Sequence, residues 1–190
     1  MQREPPALHV VASLPPVRGG LEAEVEAPRL DLDTLFRRYA PYVAAVAHRL
    51  LGRDDDVDDT VQEVFLAAVR GLSRIRDPGA VKAWLARIAV RSARRRLRKR
   101  RLRAFFGLDE PAVYESVADG GASPDQKAIL SRVYGVLDSM PANHRIAWSL
   151  RYVEGEPLET VATLSGCSLA TAKRRIAAAA KTIDEAFADG

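Results

Sequence analysis

Apolar residues recur at steps of three and four along the segment that begins at Leu32, and this spacing constrains the fold more than any other feature of the chain. The stripe consists of Leu32, Leu35, Phe36, Tyr39, Val43, Val46 and Leu50. Such a period places one apolar face along an α-helix, and Gly52 supplies its end. Only 6% of the residues are aromatic, which also favours helices over a sheet sandwich.

Two more helices are predicted before residue 104. The first follows "GRDDD", whose acids crowd the positive N-terminal end of a helix. Its buried face is predicted to consist of Val57, Val61, Val64, Phe65, Ala68 and Leu72. The second opens at "DPGAVKAWLARIAV", with Asp77 as the N-cap and Pro78 at the first helical position. Its inward side is predicted to consist of Val81, Trp84, Leu85, Ile88 and Ala89.

The helical period returns after a break. Ser123, Pro124 and Asp125 supply an N-cap, a first-turn proline and a first-turn acid. The stripe that follows consists of Ile129, Leu130, Val133, Val136 and Leu137. Pro141 closes this helix, and another short one ends at Gly155. The C-terminal part of the chain is therefore also predicted to be helical.

The segment "EPLETVATLSGCSLATAKRRI" predicts a helix-turn-helix. Gly166 lies four residues after Ala162, where a tight turn needs a positive φ angle, and Ser168 caps the next helix. Ala162 provides the small residue that two closely crossing helices require, and Ile176 and Ile183 anchor the second helix in the core. Residues of this helix would face a DNA major groove. The candidate DNA-binding residues are Ser168, Leu169, Ala170, Thr171, Lys173, Arg174 and Arg175.

Charge is strongly segregated along the chain, although the formal net charge is only +4. Residues Arg87 to Arg103 include ten Lys or Arg and no acid, while Asp54 to Val69 is acidic and has no base. This asymmetry indicates that the chain binds a polyanion and also a basic protein partner.

The sequence gives little support to a disulfide-stabilised, metal-binding, redox-sensing or membrane protein. The single Cys167 excludes an internal disulfide framework and a cysteine-cluster metal site, and the three histidines lack ligand spacing. Cys167 is interpreted as a turn-packing residue rather than a redox sensor, because no second cysteine is present to resolve its oxidation. "ALHVVASL" is too short for a signal or membrane segment. We therefore expect a cytoplasmic protein without membrane insertion, metal or cofactor.

At this point the chain resembles the bacterial sigma factors. "DDTVQEVFLAAVRGL" looks like their polymerase-binding segment, "AWLARIAVRSARRRLRKRR" like their promoter-opening helix, and the helix-turn-helix like their fourth region. With those two regions joined by a short linker, the chain is similar to the extracytoplasmic-function (ECF) group. The resemblance implies an all-α fold of two small helical domains. Its divisions are a flexible leader (1–30), sigma region 2 (31–103), a flexible acidic linker (104–124) and sigma region 4 (125–188).

The resemblance also implies roles for named residues. Core RNA polymerase would be bound by Asp58, Asp59, Gln62, Glu63, Phe65 and Leu66. Promoter opening and contact with the DNA backbone would fall to Arg74, Arg76, Asp77, Arg87, Arg91, Arg94, Arg95 and Arg98. The loop "SRIRDPGAV" would accept a flipped base of the non-template strand, and many relatives carry Asn where this chain has Arg91. The partners so implied are bacterial core RNA polymerase, duplex and single-stranded promoter DNA, and an anti-sigma factor.

Alternatives remain open at this stage. A stand-alone helix-turn-helix regulator would need its own dimerisation surface, and no heptad supplies one. A nuclease that uses the acids from Asp54 to Asp59 would require magnesium, but no phosphate-cradling loop accompanies them. Those acids are also explained as a solvated first turn that suits the helix dipole. The linker resembles the strand that threads toward the polymerase active centre, and a merely soluble tether fits almost as well. Trp84 is interpreted as a core residue in preference to a stacking platform.

Overall fold

The computed structural model describes residues 31–53, 56–72, 75, 77–108 and 123–188, and every regular element in those ranges is helical. This confirms the predicted all-α fold. The leader and most of the predicted linker lie outside the described residues. The α-helices within the described ranges are α1 (Leu32–Leu51), α2 (Val57–Gly71), α3 (Val81–Phe105), α4 (Pro124–Ser139), α5 (Ala142–Tyr152), α6 (Leu158–Ser165) and α7 (Leu169–Ala188).

The helix ends follow the local sequence signals. Asp31 caps α1 by accepting a hydrogen bond from the Thr34 backbone N–H at 2.8 Å, and Gly52 ends the helix with a φ of 67°. Ser123 and Gln126 form a reciprocal capping box at the start of α4. The stop at Gly52 and the cap at Ser123 were predicted from single residues, because each depends on chemistry within one turn of the chain. The Asp31 cap and the part of Gln126 in the capping box were not predicted.

The predicted cap and first-turn proline before α3 are both present, but the first turn is of another type than predicted. Asp77 does cap, accepting a hydrogen bond from the Gly79 N–H at 2.8 Å, but it caps a short 3₁₀ turn, Pro78–Ala80. The α-helix begins only at Val81. Helices commonly begin with such a tighter turn, and a first-position proline suits both helix types.

The helices α1, α2 and α3 pack against one another as the N-terminal half of the molecule. Leu35, Val43 and Leu50 of the predicted stripe are fully buried. Phe36 was predicted to lie on the same buried face, but its side chain is 47% exposed. Its ring packs edge-on against Phe65, with 4.8 Å between centroids. Leu32, at the start of α1, is 43% exposed, so this residue of the predicted stripe is not buried.

The helices α4 to α7 form the C-terminal half, which contains a smaller apolar cluster of its own. Leu130, Leu137 and Ile183 lie in it, around the fully buried Trp148. The hydroxyl of the buried Tyr134 reaches out of this cluster and donates a hydrogen bond to the Arg49 carbonyl oxygen of α1 at 2.7 Å.

A larger core extends across both halves. Ile146 and Leu150 of α5 and Val161 of α6 belong to the same buried cluster as Leu50 of α1 and Leu85 of α3. The division of the chain into two domains stays a prediction. In this structure, apolar side chains from both halves share one core.

Candidate nucleic-acid interface

The acidic helix α2 and the basic helix α3 are paired with each other along one side. Arg96 lies 3.3 Å from both Asp56 and Asp59 and 3.0 Å from Glu63. Arg95 makes a 2.6 Å ion pair with Glu63, and Arg100 donates hydrogen bonds to Asp56. The charge segregation seen in the sequence is thus partly balanced inside the molecule.

This pairing moves the acids away from their ordinary pKa values. Burial alone would raise the pKa of Asp56, but the hydrogen bond and charge of Arg100, together with those of Arg96, outweigh it and lower the pKa. At Glu63, burial would also raise the pKa, but the hydrogen bonds from Ser92 and Arg95 outweigh it, so the pKa of Glu63 is lowered as well. Both carboxylates are therefore ionised at neutral pH.

The predicted polymerase-docking residues divide into two sets. Asp58, Asp59 and Gln62 are exposed on α2, and the Leu66 side chain next to them is 54% exposed. Val69 extends this apolar strip by one turn. The face therefore combines an exposed apolar centre with acids at its edge.

Two members of the predicted docking set lie elsewhere. Phe65 is buried under Phe36 and belongs to the core. Glu63 is half-buried and turned toward α3, where Ser92 and Arg95 bind it. The helical period predicts that Phe65 is buried, whereas the resemblance places it among the docking residues. Its burial agrees with the first prediction and corrects the second.

The basic residues of α3 also face in different directions. Arg87, Arg91 and Arg98 are exposed, and within the described part of the chain no carboxylate pairs with them. Arg95 is exposed but held by Glu63. Arg94 is half-buried and donates a 2.7 Å hydrogen bond to the carbonyl oxygen of Ser165. Burial, and then the positive charges of Arg175 and Arg98, lower the pKa of Arg94.

The loop before α3 is only partly described. Arg74 and Arg76, both predicted to contact DNA, lie outside the described residues. Asp77 is exposed, with one carboxylate oxygen engaged by the Gly79 N–H.

A groove of about 720 Å³ runs between α2 and α3. Leu66 and Trp84 supply apolar walls, while Arg87 and Arg91 stand at its rim. Trp84 is half-buried and packs against Gly71, where a Cβ atom would come within 2.7 Å of the ring atom Cζ2. Trp84 thus packs against the core, which agrees in part with the prediction, but it is only partly buried and also lines the groove.

The helix-turn-helix has the predicted local geometry. Gly166 has a φ of 62°, and the backbone N–H of Cys167 in the turn donates to the Ala162 carbonyl oxygen at 3.0 Å. Ser168 accepts a hydrogen bond from the Thr171 N–H at 3.2 Å. Cys167 packs against the core.

The recognition surface of α7 is mostly open. Leu169, Ala170, Lys173 and Arg174 are exposed, whereas Thr171 and Arg175 are half-buried. Ile176 and Ile183 are buried and anchor the helix, as predicted. The exposed residues lie in the first two turns, which is the part of a recognition helix that reads base edges.

Sequence reasoning missed the buried arginines. Arg145 of α5 is 1% exposed and donates to the carbonyl oxygens of Leu50 and Leu51 at 3.0 and 2.7 Å. Arg100 also donates to Leu51, at 3.0 Å. Both look like ordinary surface residues in the sequence, and no local pattern distinguishes them from their exposed neighbours.

Histidines, cysteines and acids in the described part of the chain form no group of three or more that would hold a metal ion. Asp54 and Asp55 of the acidic run lie outside it. No helix among the described residues has the length and apolarity needed to cross a membrane.

The chain is similar to known proteins over the region that contains the paired helices α2 and α3. The family model for sigma-70 region 2 matches residues 35–103, which span α1 to α3. The chain is 32% identical to the ECF RNA polymerase sigma-E factor of Escherichia coli over 159 residues, which is 79% of this chain and 83% of that protein. The chain belongs to the ECF RNA polymerase sigma factors.

Other sigma factors show the same likeness. The ECF RNA polymerase sigma factor SigE of Mycolicibacterium smegmatis is 31% identical over 148 residues, covering 76% of this chain and 56% of that protein. The sigma factor RpoE of Bartonella quintana, solved in complex with the anti-sigma factor NepR, matches with a TM-score of 0.61 at 23% identity. That match covers 83% of this chain and 96% of the other, and it supports the fold alone. Membership confirms the predicted promoter-directing sigma factor and argues against the stand-alone regulator.

Proposed function

We propose that this sigma factor binds core RNA polymerase through the exposed face of α2, formed by Asp58, Asp59, Gln62 and Leu66. The observation that carries the proposal is the exposure of Leu66 on α2, one to two turns after the exposed Asp58, Asp59 and Gln62, on a helix that packs against α1 and α3 on its other sides. A partner surface with basic residues around an apolar patch would bury Leu66 and pair with the acids. Phe65 supports this face from below.

On the DNA side, the exposed arginines of α3 lie on promoter phosphates near the edge of the opening bubble. Arg87, Arg91 and Arg98 supply affinity without reading sequence, because phosphates are the same at every base pair. Trp84 and the groove beside it accept part of the separated strand, and Asp77, Arg74 and Arg76 remain the candidates for contact with a flipped base.

The recognition helix α7 reads the upstream duplex element. Lys173 and Arg174 are exposed there and can form hydrogen bonds with base edges in a major groove. Leu169 and Ala170 offer apolar contacts to thymine methyl groups. A good bidentate pair discriminates against a wrong base by about 1 to 3 kcal/mol, so a few side chains suffice to select a promoter.

The protein acts without catalysing a covalent step and without a cofactor, in the cytoplasm. A sigma factor of the same fold has been solved with the anti-sigma factor NepR bound. We propose that this chain, too, has an anti-sigma factor as a partner.

The docking face is tested by changing Asp58, Gln62 and Leu66 together to Ala. Asp59 and Glu63 are left intact, because both pair with Arg96 of α3 and their loss would break contacts between the two helices. We expect binding to purified core polymerase to weaken by about tenfold or more, since the variant removes the centre of the interface. Promoter-dependent transcription should fall in parallel.

The matched control changes Asp184 and Glu185 of α7, which are equally exposed acids, to Ala. This control should bind core polymerase as the wild type does. Equal binding by the docking variant, with unchanged circular dichroism, would contradict the assignment of this face. A wild-type chain that fails to stimulate transcription by core polymerase would contradict the proposed function itself.

A further inference from the structure

A second pocket, separate from the groove between α2 and α3, lies at the C-terminal end of α3. Its volume is about 390 Å³, which is within the range of pockets that bind small molecules. Trp84 in the groove and Phe105 in this pocket are separated along α3 by about 30 Å, at 1.5 Å per residue. The residues that line it include Arg98, Arg101, Leu102, Phe105, Pro141 and Asn143. We call this site the α3–α5 pocket.

The α3 residues of the pocket lie on one face of the helix. Arg98, Arg101, Leu102 and Phe105 recur at steps of three and four, so they form a stripe two turns long. All four side chains are exposed, and Phe105 is 82% exposed. A large aromatic side chain that is left open beside a pocket indicates a binding surface.

The ring of Phe105 is suited to stacking. Phe106 holds it in an edge-to-face pair, with 5.4 Å between the ring centroids and an angle of 84° between the planes. The pair fixes the orientation of the Phe105 ring and still leaves most of its side chain open to solvent. Nucleobases stack on such rings whatever their identity, because every base has a flat π face.

Positive charge accompanies this ring. In the described part of the chain, no carboxylate pairs with Arg98 or Arg101 and no acid lines the pocket. The first turn of α5, which begins at Ala142, contains no acid either. Guanidinium groups form paired hydrogen bonds with phosphate oxygens. Arg98 is two turns, about 10 Å, from Phe105, which the sugar and phosphates of one nucleotide can span.

Asn143 adds a polar group to the wall of the pocket. Its carboxamide oxygen is shielded from solvent and accepts no hydrogen bond from any described residue. Buried polar atoms are normally hydrogen-bonded, so this oxygen is available to a donor group of a ligand. The exocyclic amino group of a base such as adenine supplies a donor of this kind.

We propose that the α3–α5 pocket binds one nucleotide, whose base stacks on Phe105 and donates to Asn143 and whose phosphates lie on Arg98 and Arg101. An inorganic anion would leave the Phe105 ring open, and an uncharged apolar ligand would leave both arginines unpaired. A free nucleotide and one unit of a single DNA strand share the required chemistry, and their affinities distinguish the two sources.

The site also has a consequence for promoter binding. Arg98 belongs to the pocket and to the arginines that the proposed function places on promoter phosphates. A nucleotide bound to Arg98 would remove one of those phosphate contacts, so it should weaken promoter binding. This consequence rests on the proposed function, whereas the binding of the nucleotide does not.

Binding is measured by fluorescence anisotropy with the full chain. The probes are ATP and GTP labelled on the ribose and, separately, a labelled single-stranded DNA. Phe105→Leu keeps an apolar side chain without an aromatic ring, and Arg101→Gln removes one charge. Each should weaken binding about tenfold, because a stacking or a charge-assisted contact is lost. Phe105→Trp should retain binding, since an aromatic ring remains.

The matched controls are Leu108→Ala and Arg103→Gln, which change exposed residues at the same end of α3 that do not line the pocket. Both should bind the probes as the wild type does. Asn143→Ala should weaken binding of ATP but not of purine riboside triphosphate, which lacks the amino group. Circular dichroism checks that each variant is folded.

This pattern of losses with the free nucleotides would support a small-molecule site, and the same pattern with single-stranded DNA alone would support a site for one unit of a strand. The absence of binding to either probe would overturn the pocket, as would equal losses in Arg101→Gln and Arg103→Gln. Binding only to vesicles of anionic phospholipid, dependent on Phe105 and Leu108 alike, would overturn it in favour of a membrane surface.

The consequence for DNA is tested with holoenzyme and promoter DNA. Saturating ATP should lower the promoter affinity of holoenzyme that contains the wild type but not of holoenzyme that contains Phe105→Leu. Nucleotide binding without this difference would overturn the consequence alone. A chain that binds the nucleotide but never binds core polymerase would contradict the proposed function and leave the pocket supported.

Discussion

The role of a single residue in this protein depends on neighbours that are close in space but distant in the sequence. Gly71 ends α2 and faces the Trp84 ring, so a side chain there has no room. Gly135 lies in the middle of α4, and apart from the backbone of its own helix and its chain neighbours no described atom is within 4 Å of the position where its Cβ would stand. The two glycines look alike in the sequence, and only their surroundings separate them.

Gly71→Ala is expected to destabilise the protein by about 1 to 2 kcal/mol, because the new methyl group would displace the Trp84 ring. Gly135→Ala, the control, should stabilise it by about 0.5 to 1 kcal/mol through higher helix propensity. Urea denaturation followed by tryptophan fluorescence measures both. Two changes of the same sign would contradict the steric argument.

Asp56, immediately before α2, pairs with two arginines of α3, Arg96 and Arg100. Asp56→Asn keeps the shape but removes the charge that Arg100 and Arg96 neutralise, so we expect a loss of about 2 kcal/mol at neutral pH. The folded pKa values of Asp56 and Glu63 are lowered, so they stabilise the fold above the unfolded pKa of about 4.

The contribution of Asp56 and Glu63 to the free energy of unfolding is lost as the pH falls through their lowered pKa values in the folded state. The difference in free energy of unfolding between wild type and Asp56→Asn should therefore be constant from pH 7 to about pH 5 and shrink below about pH 4. Denaturation curves across this range test it. A difference that grows on acidification would show that the carboxylate does not act through its charge.

At the scale of one element, α3 performs two tasks on different sides. One side carries Arg95, Arg96 and Arg100, which pair with the acids of α2. Another side presents Arg91 and Arg98 to solvent. A run of ten basic residues is thus not one uniform DNA-binding surface, because the helical turn distributes them around the axis.

Changing Arg87, Arg91 and Arg98 to Gln should weaken holoenzyme binding to all promoters alike. Each phosphate contact that is lost should flatten the dependence of log K on log salt by about 0.9. Arg95→Gln should have a smaller effect on the slope, because Glu63 already holds that side chain. Fluorescence anisotropy at several salt concentrations measures the slopes, and a change in base preference would contradict a backbone role.

At the scale of the whole molecule, the shared core predicts cooperative unfolding. Trp84 belongs to the N-terminal half and Trp148 to the C-terminal half, and they are the two tryptophans of the chain. Single-tryptophan variants, Trp84→Phe and Trp148→Phe, should each show one transition that coincides with the loss of helix seen by circular dichroism.

Transitions at different denaturant concentrations for the fluorescence and the circular dichroism of one variant would indicate halves that unfold independently. Ile146→Ala sharpens the test, because this buried residue contributes to the core shared by both halves. It should lower the stability reported from either half by about 2 to 5 kcal/mol.

The sequence by itself determined the helices, most of their ends, the helix-turn-helix and the sigma-factor family. Apolar spacing, caps such as Ser123 and the turn at Gly166 act within a few residues, so they can be recognised without the fold. Only the tertiary structure decided which arginines of α3 face solvent and that Arg145 is buried against α1. Arg145 and Leu50 are 95 residues apart, and nothing near Arg145 in the chain records the carbonyl oxygens that it meets. A side chain's partner depends on how the helices pack, and that packing sums many weak contacts from distant parts of the chain.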